Sequence, residues 1–265
     1  MKKITLIVFM LLTGLLFGHE FWIQPDKYIY GRGEMVNLKF VSGENFTGKN
    51  WKGNKSRVEN LQLFFDKVSD TGLHKDLTNA EGDSLQAIFM DEGTVVVALQ
   101  TKNNFIELNA NDFNNYLKED GLDNALNYRI EKGDTAKPGK EFYQRSAKAI
   151  LQIGNKYTST YKKKTGLPLD IVPDDNPYTV AKDGNFKVKI FFRGEPLKNT
   201  KVKVWHKLNE NMSVQEYKTD DDGELKFFLD PEGQWMISCV KMERLENNAK
   251  AEWQSYWGTV TWGYY

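Results

Sequence analysis

The last third of the chain alternates apolar and polar residues with a period of two, and this rhythm most constrains the fold. Phe186, Val188, Ile190 and Phe192 alternate with Lys187 and Lys189, and Val202 and Val204 alternate with Lys201 and Lys203. Leu225, Phe227 and Leu229 repeat the pattern before the apolar run Trp235–Val240. A helix would scatter such residues around its axis, whereas a strand gathers them on one face. Gly194-Glu195-Pro196, Thr219-Asp220-Asp221-Asp222-Gly223 and Asp230-Pro231-Glu232-Gly233 supply turns between these runs. Short strands at this spacing predict a β-sandwich of immunoglobulin-like or transthyretin-like size over residues 176–265.

The preceding segment, 19–175, reads as a β-rich module with a small helical insertion at about 109–130. Val36, Leu38 and Phe40 alternate as a strand after the turn Gly31-Arg32-Gly33, and Leu61–Phe65 forms another. Asp91-Glu92-Gly93 separates Leu85–Met90 from Thr94–Leu99, which predicts a hairpin. Phe113, Tyr116 and Leu117 fall on one helical face, with Asn111 as the expected cap and Gly121 as the stop. A second short helix is expected over Asp123–Arg129. Glu141–Ile153 fits either a helix or a strand. Leu167-Pro168, Val172-Pro173 and Pro177 predict an extended connector between the two segments. The fold class is therefore mainly β.

Residues 1–18 have the form of a cleaved secretory signal. Lys2 and Lys3 precede the apolar stretch Ile4–Phe17, which ends at the small residue Gly18. Cleavage there starts the mature protein at His19 and predicts a periplasmic or secreted location. Cleavage after Gly14 would instead bury the histidine behind Leu15–Gly18. The mature chain has no other apolar stretch of membrane-spanning length. Its balance of 36 basic and 36 acidic residues falls to about −2 once Lys2 and Lys3 are lost, and nothing in it suggests nucleic acid as a partner. Cys239 is the one cysteine, so the chain contains no internal disulfide and stability must come from the core. In its apolar run it reads as a small buried side chain.

Three histidines, His19, His74 and His206, carry the candidate chemistry. A terminal histidine offers its α-amine and imidazole to one ion, and a second imidazole would complete a three-nitrogen brace suited to copper and to nickel. The α-amine titrates at about 7.7–8, so a metal displaces its proton near neutral pH at small cost. His206, in phase with Val202 and Val204, is the expected partner. The alternative for it is the end of a core stripe with one hydrogen bond. His74 reads as a loop-tip residue, and Glu20 as a solvated side chain at the mature start. The chain has no His-Glu-x-x-His, Cys-x-x-Cys or Gly-x-Ser-x-Gly. Asp220–Asp222 reads as a turn rather than a calcium loop. The aromatics crowding the C-terminus, Trp253 to Tyr265, read either as a strand sealing the sandwich or as a binding platform. Arg145 and Lys148 are expected to bind an anion or to pair with the Glu119-Asp120 region.

Several blocks together resemble an exported family. They are His19-Glu20-Phe21-Trp22, Phe113-x-x-Tyr116-Leu117-Lys118-Glu119-Asp120-Gly121-Leu122-Asp123, Glu141-x-Tyr143-x-Arg145-x-Ala147-Lys148, Gly166-Leu167-Pro168-Leu169-Asp170-Ile171-Val172-Pro173, and Ala251-Glu252-Trp253-x-Ser255-Tyr256-Trp257-x-Thr259. In this order they resemble the domain-of-unknown-function family 4198 over nearly the whole mature chain. The resemblance implies a periplasmic component of nickel or cobalt uptake, with a membrane metal transporter as partner and no established reaction. It also places a lysine, Lys241, where many members have histidine. The expected function is a non-enzymatic exported binding protein that handles nickel, cobalt or copper through His19 and His206. The alternatives are a histidine-brace copper oxidase acting on a polysaccharide, and a metal-free structural or adhesion module.

Overall fold

A computed structural model describes residues 20–51, 55–66, 68–71, 84–182 and 184–265. The chain runs through β1 (Glu20–Pro25), β2 (Ile29–Tyr30), β3 (Met35–Glu44), β4 (Thr47–Asn50), β5 (Val58–Phe65), β6 (Val68–Thr71), β7 (Ser84–Ile88), β8 (Gly93–Thr101) and β9 (Asn104–Leu108). Two helices follow, α1 (Ala110–Glu119) and α2 (Asp123–Glu131), then the long β10 (Gly139–Ile153) and β11 (Leu169–Pro173). The remainder is β12 (Gly184–Phe192), β13 (Glu195–Pro196), β14 (Lys201–Leu208), β15 (Asn211–Lys218), β16 (Glu224–Leu229), β17 (Gln234–Arg244) and β18 (Trp253–Gly263). The protein is mainly β. No helix among the described residues is long and apolar enough to cross a membrane.

One sheet organises the rest. Its order is β15-β14-β17-β18-β10-β8-β5-β6, with β2 and β9 also paired to β10, so strands of 19–175 and of 176–265 share one hydrogen-bonded ladder. They join at β10–β18, a parallel pair running from Glu141↔Trp253 to Ala149↔Thr261. Because side chains alternate across a strand, β17 divides its residues between two layers. Trp235, Ile237 and Cys239 pack on Phe186, Val188, Ile190 and Phe227 of the small sheet formed by β11, β12, β13 and β16. Met236, Val240 and Met242 face the other way. That opposite face is covered by the small sheet of β1, β3, β4 and β7 at one end and by α1 and α2 at the other. The central sheet is thus buried on both sides, which is why Gln234–Val240 is almost continuously apolar rather than alternating.

Local chemistry explains the helical insertion. The Asn109 side chain accepts from Asp112 N at 3.0 Å and caps α1, two residues before the expected cap Asn111. Gly121, at φ +66°, ends it where expected. Leu85–Met90 and Thr94–Leu99 do not form the expected hairpin. β7 pairs with β3, whereas β8 pairs with β5 and β10, so the turn at 91–92 carries the chain from one sheet to another. Glu141–Ile153 resolves as a strand. Part of the proline-rich connector is β11, paired with β12.

Candidate functional site

His19 and His74 lie outside the described residues. His206 sits on β14 opposite Trp235 of β17 and stacks on its ring, with centroids 4.0 Å apart and planes 13° from parallel. Its Nε2 lies 3.1 Å from the Glu232 carbonyl oxygen, which also accepts from Trp235 Nε1 at 3.1 Å. It therefore continues the stripe of Val202 and Val204, on the face covered by the β12 sheet. Glu20, the first residue of β1, lies on the opposite face of the central sheet.

Glu20 corrects an expectation. It is not solvated: only 4% of its surface is exposed, its backbone pairs with Gly43, and Ser238 Oγ donates to its Oε1 at 3.0 Å. Trp205 Nε1 donates in turn to Ser238 Oγ at 2.9 Å. Burial pushes the Glu20 carboxyl up to about 7, helped by the nearby Asp120 and opposed by Lys203 and Arg145. Asp120, the residue ending α1, is 6% exposed and accepts from Lys203 Nζ at 2.5 Å. Burial holds Asp120 above the usual carboxylate range even against that ammonium. Desolvation pulls Lys203 down, but the charges of Asp120 and Glu20 outweigh it and leave its ammonium raised.

The same seam, between the β1 sheet and the helices, continues to Glu141 of β10. Ser255 Oγ donates to Glu141 Oε1 at 3.2 Å and receives Trp257 Nε1 at 3.2 Å. Trp257 stacks on Tyr116 of α1, centroids 5.7 Å apart. Burial lifts the Glu141 carboxyl to about 8, opposed by Ser255 and the facing Tyr116 and reinforced by Asp120. Neither Glu141 Oε2 nor the Tyr116 hydroxyl makes a well-aligned hydrogen bond among the described residues. Lys203 thus acts on both Glu20 and Asp120, and Glu20 also feels the Arg145 guanidinium, which lies 5.3 Å from the Phe21 ring and bonds Ser42 Oγ at 3.4 Å. The cavity between Glu20, Asp120, Lys203 and Ser238 measures about 10 Å³, room for one water. This arrangement raises all three carboxyls above the usual carboxylate range and anchors the start of β1; it has no space for a substrate.

Of the seam, the sequence presents Glu20 as solvated and Arg145 and Asp120 as a candidate pair, and it does not bring them together. Lys203 occupied a polar phase that alternation assigns to solvent, and Ser238 sat unremarked in an apolar run; that run was the available signal of two-sided burial. Arg145 and Lys148 do not pair with Glu119-Asp120. Lys148 is buried with Asp170, Nζ to Oδ1 2.6 Å, and Thr165 completes that carboxylate through its N–H and hydroxyl. Asp220 Oδ1 accepts from the N–H groups of Asp222 and Glu224, as a turn requires. Cys239 is buried, and desolvation raises its thiol. Trp253, Trp257 and Trp262 are buried and seal the layers.

The family model described as "Domain of unknown function (DUF4198)" matches residues 16–243. No curated protein matches the sequence. Among solved structures, a DUF4785 family protein from Legionella pneumophila is similar at 9% identity and a TM-score of 0.25, covering 81% of this chain and 51% of that one. The Escherichia coli alpha-2-macroglobulin activated by porcine elastase is similar at 9% identity and a TM-score of 0.23, covering 93% of this chain and 20% of that one. The chain spans about half the length of the first and a fifth of the second. Likenesses of this size carry no argument about topology or function.

Proposed function

The chain belongs to the DUF4198 family, and from that premise and the anchoring of β1 we propose that it is an exported, non-enzymatic binding protein that handles nickel, cobalt or copper through His19 at its processed N-terminus. The observation that carries this reading is the burial of Glu20. The residue next to His19 is held by its backbone ladder to Gly43 and by Ser238. A chelate formed by the α-amine and imidazole of His19 would hang from a fixed point, so less chain entropy is lost when an ion is captured. Among the described residues no three His, Cys, Asp or Glu side chains come together at metal-binding spacing. The donors in this reading are those of His19 itself, a nitrogen set suited to copper and nickel. His206, on the far face of the central sheet, is left out of it. A membrane transporter for the same ion is the partner that such a carrier requires.

The test is calorimetric titration of the exported form with copper(II), nickel(II) and cobalt(II), after mass spectrometry has established its first residue. The expected result is 1:1 binding with a Kd of about 1 μM or tighter, lost in His19→Ala and kept in His206→Ala. Absence of binding by a chain that begins at His19 would overturn the proposal. Loss in His206→Ala with a native fold would favour the two-histidine brace instead.

A further inference from the structure

A separate groove lies at the other end of the helical layer, where the loop after α2, the start of β10 and the β17–β18 loop meet. It encloses about 520 Å³, within the range of small-ligand sites. Lys137, Lys140, Arg244 and Lys250 line it against Glu107 and Glu252, an excess of two positive charges. Lys137 is paired with Asp134 at 2.6 Å, and Lys140 stands 3.7 Å from Glu107. Among the described residues, Arg244 and Lys250 have no carboxylate within ion-pair distance.

The walls are held in place by their own hydrogen bonds. Asn248 Oδ1 accepts from the N–H groups of Lys250 and Ala251, at 2.9 and 3.1 Å. Glu252 N–H donates to the Lys140 carbonyl at 2.9 Å, joining the loop to β10. Arg244 lies 5.2 Å from the ring centres of both Tyr128 and Trp253, and its Nη1 donates to the Glu252 carbonyl. Two polar atoms in this wall are nonetheless buried without a hydrogen-bond partner among the described residues: the donor Arg244 Nε and the acceptor Glu252 Oε2. Their hydrogen-bonding capacity is left unused inside the wall, beside a groove that carries excess positive charge. At the rim, Lys250 Nζ sits 5.3 and 5.5 Å from the rings of Phe105 and Phe142, and Phe105 is 39% exposed.

We propose that this groove binds an acidic sugar, a uronate residue of an anionic glycan. The carboxylate of such a sugar would meet Lys250 and the Arg244 guanidinium, the two lining cations without a carboxylate partner among the described residues. A neighbouring hydroxyl would donate to the Glu252 carboxylate, and the C–H face of the ring would lie on Phe105. A neutral sugar leaves the excess positive charge unused. An acidic peptide side chain brings the charge without a hydroxyl or an apolar ring face. The site is independent of the metal reading and of the seam at Glu20.

The test is titration of the mature protein with tri-galacturonate by calorimetry, with hydrogen exchange to locate the contact. Maltotriose and tri-glutamate serve as controls. The expected result is a Kd below about 1 mM that weakens with added salt, with slowed exchange at 244–252. Lys250→Ala, at the exposed rim, should weaken binding about tenfold, a factor matching one lost charged contact. Arg244→Gln should abolish it. Because Arg244 also packs on Trp253, the Lys250 variant keeps the test decisive if Arg244→Gln fails to fold. No binding at about 10 mM trimer, equal binding of maltotriose, or equal binding of tri-glutamate would each overturn the proposal.

Discussion

Replacing Glu141 by glutamine tests whether the buried seam is proton-linked. In the folded chain the carboxyl is raised from 4.5 to about 8 by burial. Below pH 4.5 it is protonated in both the folded and the unfolded state, and its contribution to stability is fully present. Between pH 4.5 and 8 the unfolded chain ionises while the folded chain stays neutral, so stability is lost progressively as pH rises. A rise from 4.5 to about 8 sets a ceiling of about 5 kcal/mol on this loss. Relaxation and water entry reduce what buried charges cost in practice, and about 2–4 kcal/mol is the working expectation. Glutamine has the same shape, keeps an oxygen for Ser255 Oγ and never ionises. Glu141→Gln should therefore be more stable than the parent at pH 8.5 by about 2–4 kcal/mol, and within about 1 kcal/mol of it at pH 4.5. Urea unfolding at both pH values reads this as a midpoint about 1 M higher at pH 8.5 only. Taking the difference between variant and parent cancels the titrating groups that do not interact with Glu141, including the depressed Glu34, Asp134 and Asp220. A variant equally destabilised at both pH values would refute the reasoning, since it would mean that the Glu141 carboxyl titrates alike in the folded and the unfolded chain.

Two further outcomes follow from the same packing. Lys203→Met removes the ammonium at 2.5 Å from buried Asp120. It should cost about 3–5 kcal/mol near pH 7, part of which returns at acid pH as Asp120 takes up a proton; urea midpoints at pH 5 and 7 check this. Cys239, buried with its thiol raised, should react with a thiol reagent only at the rate of unfolding, so adding about 6 M guanidinium should release it at once. Fast labelling of the native protein would contradict its placement in the core.

The strands of the last third were legible because each has one face against the β12 sheet. Phe186, Val188 and Ile190 point into that layer, and the lysines between them do not. The helix carrying Phe113, Tyr116 and Leu117 was legible for the corresponding reason, a single apolar face. The seam was not. Lys203 and Glu141 sit in phases that a half-buried strand gives to water, and nothing local says that α1 and β1 will cover them. The supposed hairpin at 91–93 failed on the same ground: turn chemistry predicts a reversal, and the partner of each strand is set by distant apolar surface.

The residues alone therefore determined the class of fold, the helical insertion and most strand positions, because periodicity and turn chemistry act over a few neighbours. Tertiary structure alone decided that both segments share one sheet, that its second face is covered, and that Glu20, Asp120 and Glu141 meet there. Those outcomes depend on contacts across more than a hundred residues, such as Ser238 on Glu20 and Ser255 on Glu141. Burial at such contacts, with the like charge of Asp120 added, raises the Glu20 and Glu141 carboxyls above the usual range, and no neighbour in the sequence could do so.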